Sequence, residues 1–353
     1  TWTLDRACTT GVGAAMTGNM GGCFLTLQEG CSATGPMVAG NTTWVKQGTY
    51  LTTTAIAPVS GAIGAHCIIK GYNATRGDLD NVNNYANFPS IVANNVLITV
   101  ISSNNSYIDI WNLSVSGGTG ATKGSRGLSV TGSEISCINC SASGFTAFGI
   151  YVLSGLAVRC YATSCPIGIE SNAGNMLNCI ATACTTAGIE YRGSGAIINC
   201  MAINNTGDGI AAVGTYTTQA LILNCVSDSN SGNGMNFSAV TGPSVFAIQN
   251  CILSNNGTYG INFSGTVVPQ YEVNNAFYNN TSGQVSGFTK SASDIVLSST
   301  PYNNPGTDFS LNNNPGGGAA CRAAGYPGVF PLANSTGYLD IGAIQSRSAG
   351  TAY

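Results

Sequence analysis

Between Ser136 and Asn280 the chain repeats one pattern of apolar and polar positions: two apolar residues, then Asn, then Cys. It reads Ile138-Asn139-Cys140, Met176-Leu177-Asn178-Cys179, Ile197-Ile198-Asn199-Cys200, Ile222-Leu223-Asn224-Cys225 and Ile248-Gln249-Asn250-Cys251. Val158-Arg159-Cys160 puts Arg in the Asn slot, Val273-Asn274-Asn275 loses the Cys, and Ile110-Trp111-Asn112-Leu113 is an earlier member without one. From 112 to 274 the Asn slot advances in steps of 27, 20, 19, 21, 25, 26 and 24. A Gly-apolar pair whose apolar member lies ten residues after the Cys follows, with its glycine at Gly149, Gly188, Gly209, Gly234 and Gly260, and one residue early at Gly168. A period of 20 to 50 residues signals a solenoid. Here the repeating pieces are short, β-branched and separated by Gly, Asn, Ser and Thr, which is strand and turn chemistry. No 3.6-residue period lasts long enough for a helical repeat. The pattern predicts coils of a parallel β-solenoid.

The phrase resembles the right-handed parallel β-helix of the pectate-lyase-like superfamily, in which an Asn makes a one-residue bend between two strands of a coil. Asn tolerates the left-handed conformation this requires, and its amide can both donate to and accept from an identical amide one coil away. The resemblance therefore implies an internal ladder of Asn112, Asn139, Asn178, Asn199, Asn224, Asn250 and Asn274. Beside it, Cys140, Cys160, Cys179, Cys200, Cys225 and Cys251 act as small buried fillers. Arg159 interrupts the amide stack and must find a carboxylate, a carbonyl or water.

The expected organisation is all-β: a single β-helix over 41–300, an N-terminal cap over 1–40 and an irregular closing segment over 301–353. Trp44 to Tyr50 and Cys67 to Tyr72 resemble opening coils of secreted β-helix proteins. Asp308–Leu311, Ala323–Gly328 and Tyr338–Gln345 resemble a closing segment of the secreted and phage-associated type. Asn73 to Pro89 is expected to loop out, and the longer later steps predict loops at Val213–Gln219 and Phe237–Ser244.

Charged residues are 7% of the 353 and the net charge is -3, so Asn, Ser, Thr and Gly must cover the surface. The 11 Lys and Arg are scattered along the chain, which argues against nucleic acid and offers no support for polyanions. No apolar run reaches the length of a membrane span. The chain opens without a charged and apolar leader, which fits either a removed secretory signal or a virion protein that lost only its initiator Met.

The 14 Cys mostly occupy repeat positions. Cys137 and Cys140 have a zinc-like spacing, but no second pair accompanies them and His66 is the only His; no metal or cofactor is implied. Cys137, one residue before an inward Ile138, is expected to point outward. The disulfide candidates are Cys23 with Cys31, across a short loop, and Cys165 with Cys184, on adjacent coils, where a stacked reduced pair is the alternative.

Glu170 and Glu190 each follow the Gly-Ile landmark. If the Ile residues point inward, both carboxylates point outward on one face, with Arg192 beside them. Such a pair can divide acid and base roles, or be a surface cluster that Arg192 neutralises in water. The superfamily's calcium-binding Asp cluster and its Asn-x-Asp, Asp-Asp and Gly-His-Gly segments are missing, and Asp78 with Asp80 is the nearest approach to a calcium pair. The reading is a non-enzymatic structural or adhesive shaft, extracellular or on a virion, that touches glycans and forms an oligomer, with a trimer favoured. A polysaccharide lyase or hydrolase and a self-assembling surface filament are the alternatives.

Overall fold

A computed structural model of the chain describes residues 2–4, 27–31, 37–80, 85–215, 219–241, 245–263, 269, 271–322, 324–325 and 339–345. The fold is an all-β right-handed parallel β-solenoid of about nine turns, with almost no helix. Two compact units make it up, residues 1–174 and 175–353. Strands in each belong to three parallel sheets, A, B and C.

In the N-terminal unit one coil runs Ile135–Ile138 in sheet A, Ser141–Ser143 in B and Phe148–Val152 in C. Coils stack in register: Ile135 pairs with Ile108 and Gly155, Ser141 with Ser114 and Tyr161, Ile150 with Leu128 and Ile169. Trp2–Leu4 already belongs to sheet A, paired with Thr43–Val45. The short helix Leu27–Cys31 is tied to it where Thr43 Oγ1 donates to the Gly30 carbonyl at 2.9 Å. Between sheets A and B the chain turns on single residues in left-handed conformation: Asn112, Asn139 and Arg159, with φ of 55, 55 and 50°. That conformation costs most side chains roughly 1–2 kcal/mol, and Asn is among the few that visit it readily.

Alternation along the sheet A strands corrects one expectation. Ile135 and Cys137 are buried, while Ser136 and Ile138 are half-buried. The bend residue resets the parity, so the residue two before it points inward and the apolar residue just before it points out. Cys137 therefore belongs to the core.

The C-terminal unit repeats the plan, with bends at Asn178, Asn199, Asn224, Asn250 and Asn274, all between 51 and 56° in φ. Met176, Ile197, Ile222 and Ile248 fill its core, together with Cys179, Cys200, Cys225 and Cys251. The bend amides, however, do not form one internal ladder. Asn178 is exposed, Asn199 and Asn224 are half-buried, and Oδ1 of Asn199 and of Asn224 accepts no hydrogen bond among the described residues. In the N-terminal unit Asn139 Nδ2 does donate to Asn112 Oδ1 at 2.9 Å.

The continuous amide ladder lies instead inside the second bend of the C-terminal unit. Asn205 Nδ2 donates to Asn230 Oδ1 (2.8 Å), Asn230 Nδ2 to Asn256 Oδ1 (3.0 Å) and Asn256 Nδ2 to Asn280 Oδ1 (2.8 Å). Each follows directly on a left-handed residue, Asn204, Ser229, Asn255 or Asn279. The ladder also explains the glycine landmark. A Cβ on Gly188, Gly209 or Gly234 would lie 2.6, 2.7 and 2.7 Å from the amide nitrogens of Asn205, Asn230 and Asn256.

Of the loop expected at Phe237–Ser244, residues 237–241 belong instead to the strand Met235–Thr241, where Phe237 stacks on Phe263 at 4.4 Å and meets Phe246 at 4.8 Å inside the unit; residues 242–244 lie outside the described residues. Of the loop expected at Val213–Gln219, residues 213–215 end the long strand Asp208–Thr215 and Gln219 opens the strand Gln219–Leu223, while residues 216–218 lie outside the described residues. After the last sheet B strand, Ile295–Val296, the chain forms an antiparallel hairpin (Tyr302–Asn304 with Asp308–Leu311) and the short helix Gly318–Cys321. Leu297, Tyr302, Phe309, Leu311, Cys321 and Ile341 pack on Val226, Ile252 and Ala276 of three successive sheet B strands. Residues 323 and 326–338 of the expected closing segment lie outside the described residues. So does Cys23, while Cys31, Cys165 and Cys184 are buried, reduced thiols, so Cys165 and Cys184 form no bridge. Burial pushes the Cys31 and Cys321 thiols up to about 12.

Candidate glycan-contacting site

On sheet A of the N-terminal unit, Trp44 pairs with Lys70 and Lys70 with Trp111, so the three form one column across successive strands. Their neighbours Val45, Ile69 and Ile110 are buried on the opposite side, and alternation therefore turns the column outward. Lys70 Nζ lies 4.5 Å from the Trp111 ring centroid and 5.5 Å from that of Trp44. An ammonium held between two indoles gains up to about 2 kcal/mol once partly desolvated.

The segment after Tyr72 folds back over this column. The Asp78 carboxylate accepts backbone N–H bonds from Asn73, Ala74 and Thr75 at 2.9, 2.7 and 2.9 Å. Slight burial works against its charge, but these bonds prevail and hold the carboxyl below its ordinary value. Asp80 then reaches Lys70 Nζ at 2.7 Å and accepts from Asn112 Nδ2 at 3.0 Å. Asn139 Nδ2 supports the same loop through the Leu79 carbonyl, 3.2 Å away. Arg159 Nη2 donates to the Asp80 carbonyl at 3.4 Å, the carbonyl partner that its place among the bends requires. Arg76, exposed, lies 5.7 Å from the Trp44 ring centroid. At the loop's far end Tyr85 stacks on Tyr161 at 5.6 Å and donates to the Arg159 carbonyl at 3.0 Å.

Three of the 11 cations scattered in sequence meet here: Lys70, Arg76 and Arg159 lie at the loop that carries Asp78 and Asp80. Two of its donors, Trp111 Nε1 and Arg159 Nε, are buried without a hydrogen-bond partner among the described residues, and a buried donor left unpaired costs roughly 1–3 kcal/mol. Sequence reasoning missed the column because its members are separated by 26 and 41 residues, steps unlike those of the tight repeat. The signal present was Trp44 and Lys70 inside the two segments already matched to opening coils, with Trp111 in the earliest member of the repeat.

The carboxylate candidates are placed differently from expectation. Glu170 lies in Ile167–Ser171 of the N-terminal unit and Glu190 in Ala187–Tyr191 of the C-terminal unit, and both are buried rather than open to water. Near Glu170, its strand neighbour Tyr151 accepts from Asn172 Nδ2 at 3.2 Å, and Arg126 lies 6.0 Å from the Tyr151 ring centroid. Arg192 Nε donates to Glu190 Oε1 at 2.7 Å. Burial raises the Glu190 carboxyl above its ordinary value, and Arg192 pulls it back only in part. The expected neutralisation in water therefore gives way to desolvation. His66 Nδ1 sits 3.2 Å from Asp109 Oδ1, with its ring edge-on to Tyr107 at 5.6 Å. Among the described residues no group of three or more His, Cys, Asp or Glu is placed to hold a metal ion. No helix among them is long and apolar enough to cross a membrane.

No protein-family model and no curated protein matches the chain. Among solved structures it is similar to pectate lyase Pel9A, with a TM-score of 0.72 at 15% identity, covering 98% of this chain and 97% of that one. It is also similar to the tailspike protein 2 enzymatically active domain of bacteriophage CBA120 (TM-score 0.51, 14% identity, 74% of this chain and 42% of that one). A rhamnogalacturonan lyase aligns at a TM-score of 0.50 and 15% identity, over 75% and 83% of the two chains. At such identities the shared property is the fold.

Proposed function

We propose that the chain is an extracellular or virion-surface β-helix that binds acidic polysaccharide on the Trp44, Lys70, Trp111 face and does not cleave it. The observation that carries the reading is the Lys70 ammonium held between two indoles beside Asp80. Indole faces suit the apolar face of a sugar ring, the exposed Arg76 offers charge-assisted bonds to uronate carboxylates, and Lys70, paired with Asp80, holds the two indoles in place. Structural neighbours named as a pectate lyase, a rhamnogalacturonan lyase and a phage tailspike lend support to the polysaccharide contact, not to the absence of cleavage. Calorimetry with polygalacturonate and a neutral glucan tests it. Polygalacturonate should bind, less tightly as salt rises, and Trp111→Ala or Lys70→Ala should weaken it about tenfold, roughly 1.4 kcal/mol. Equal affinity for the neutral glucan, or variants that bind as well as the parent, would defeat the reading.

A second reading, a lyase or hydrolase, is favoured by the buried Glu190, whose raised carboxyl moves toward the range of a general acid. Turnover of uronate or neutral polysaccharides that disappears in a Glu170→Gln, Glu190→Gln double variant would establish it. An oligomer, with a trimer favoured, belongs to the same proposal, since a nearly uncharged surface lacks the usual defence against association. Sedimentation that finds a stable monomer, with no partner in the native particle, would remove it.

A further inference from the structure

At the end of the C-terminal unit the apolar core positions turn polar. In sheet A, Glu272 pairs with Ile248 and takes its inward slot. At the corner, Asn275 takes the slot of Cys251, whose N–H donates to Asn275 Oδ1 at 2.9 Å. Asp294 follows in the next coil, where its Oδ1 accepts the Asn275 N–H at 2.8 Å. Both carboxyl groups converge on one amide, since Asn275 Nδ2 lies 2.8 Å from Glu272 Oε1 and 3.4 Å from Asp294 Oδ1. Glu272 Oε2 also accepts the Ser291 N–H at 2.9 Å. Both side chains are buried, and among the described residues Asp294 Oδ2 has no donor.

Two ionised carboxylates around one buried amide repel each other, and an acceptor without a donor is itself costly. A single proton on the pair removes both penalties, because the carboxyl O–H donates to the oxygen that lacks a partner. We infer that Glu272 and Asp294 share one proton, and that this proton latches residues 291–297 onto the coil beneath and releases them when it leaves to solvent.

Among the described residues few other groups act on the pair. From the segment 287–294, Lys290 turns its Nζ to the Ser291 carbonyl at 3.3 Å, and Ser291 and Ser293 bond each other at 2.9 Å. Sheet A contributes Ile248 and the exposed Tyr271, and the corner contributes Cys251. Asp294 is the charge that acts on Glu272: burial first, then the bond to Asp294 and its charge, push Glu272 up to about 8 from 4.5. A carboxyl raised in the closed form stabilises that form fully below its ordinary value and loses the contribution as pH rises to the raised one. The latch is therefore closed in acid and weakens from about 4.5 to about 8.

Hydrogen exchange of the intact chain tests this at Ile295 and Leu297, whose N–H groups bond to the Asn275 and Phe277 carbonyls at 2.8 Å. After correction for intrinsic exchange, the opening constant should rise by up to tenfold per pH unit and level off above about 8. Glu272→Gln, which donates permanently to Asp294, should make it independent of pH. Asp294→Asn should move the midpoint down by more than one unit, and it decides the question if Glu272→Gln does not fold. Exchange that ignores pH in the parent, or a slope that survives in Glu272→Gln, overturns the inference. So does millimolar calcium that restores protection at pH 9, which would make the pair a cation site. None of these outcomes depends on glycan binding, which is read on the other unit.

Discussion

Two columns of asparagine use the same side chain for opposite purposes. At the first bend, Asn178, Asn199 and Asn224 are selected by backbone: each holds a φ near 55°, and the amides of Asn199 and Asn224 join no continuous stack, their Oδ1 atoms accepting no hydrogen bond among the described residues. At the second bend of the C-terminal unit the left-handed task falls to the preceding residue, Asn204, Ser229 or Asn255. Asn205, Asn230 and Asn256 are thereby free to point inward and bond one another. The difference teaches that a repeated Asn in a solenoid states two separable demands, one on φ and one on hydrogen bonding. Only the second makes a ladder.

Breaking the ladder should have the largest effect. Among the described residues the Asn230 side chain takes part in five bonds, with Asn205 N and Nδ2, the Ala202 carbonyl, Ser227 Oγ and Asn256 Oδ1. Asn230→Leu should cost roughly 3 kcal/mol or more through the buried groups it strands, read as a lower urea midpoint. Gly234→Ala tests the same column from its other side. Its new Cβ would stand 2.6 Å from the Gly260 carbonyl oxygen and 2.7 Å from Asn256 Nδ2, and overpacking of this kind costs about 1–3 kcal/mol. The bend should be the more forgiving site. Asn199→Leu should lose about 1–2 kcal/mol to left-handed strain, and Asn199→Gly should stay within about 0.5 kcal/mol of the parent, since glycine adopts this φ freely. If Asn199→Gly proves as harmful as Asn230→Leu, the two columns are not distinct.

The repeat period carried the architecture: it located the coils, the one-residue bends and the buried thiols from Cys140 to Cys251. It misjudged parity, because two apolar residues in a row read alike when one faces the core and the other a covered outer surface. The true ladder was also written in the chain, as the second residue of Asn204-Asn205, Ser229-Asn230, Asn255-Asn256 and Asn279-Asn280. Without an adjacent Cys these pairs looked like ordinary turn composition. The glycan-contacting column was the least legible, since pairing Trp44 with Lys70 and Lys70 with Trp111 requires the lengths of irregular coils. The carboxyl pair left a faint mark, a Glu where the ladder asks for Ile, and only the fold brings Asp294 to it.

The described part of the chain beyond residue 296 does not simply continue the stack. It lies across Val226, Ile252 and Ala276, and it is stitched to them by polar groups: Ser254 Oγ donates to Asp228 Oδ1 at 2.5 Å and sits 3.0 Å from the Tyr302 hydroxyl. A tensile load applied past Gln345 therefore meets three strands at once and must shear a buried apolar seam before any single coil can peel. Forced unfolding is governed by the rate of the first rupture. Pulled from this end, the unit resists as a strap resists a sideways tug, and once the strap gives, the coils beneath come away one at a time.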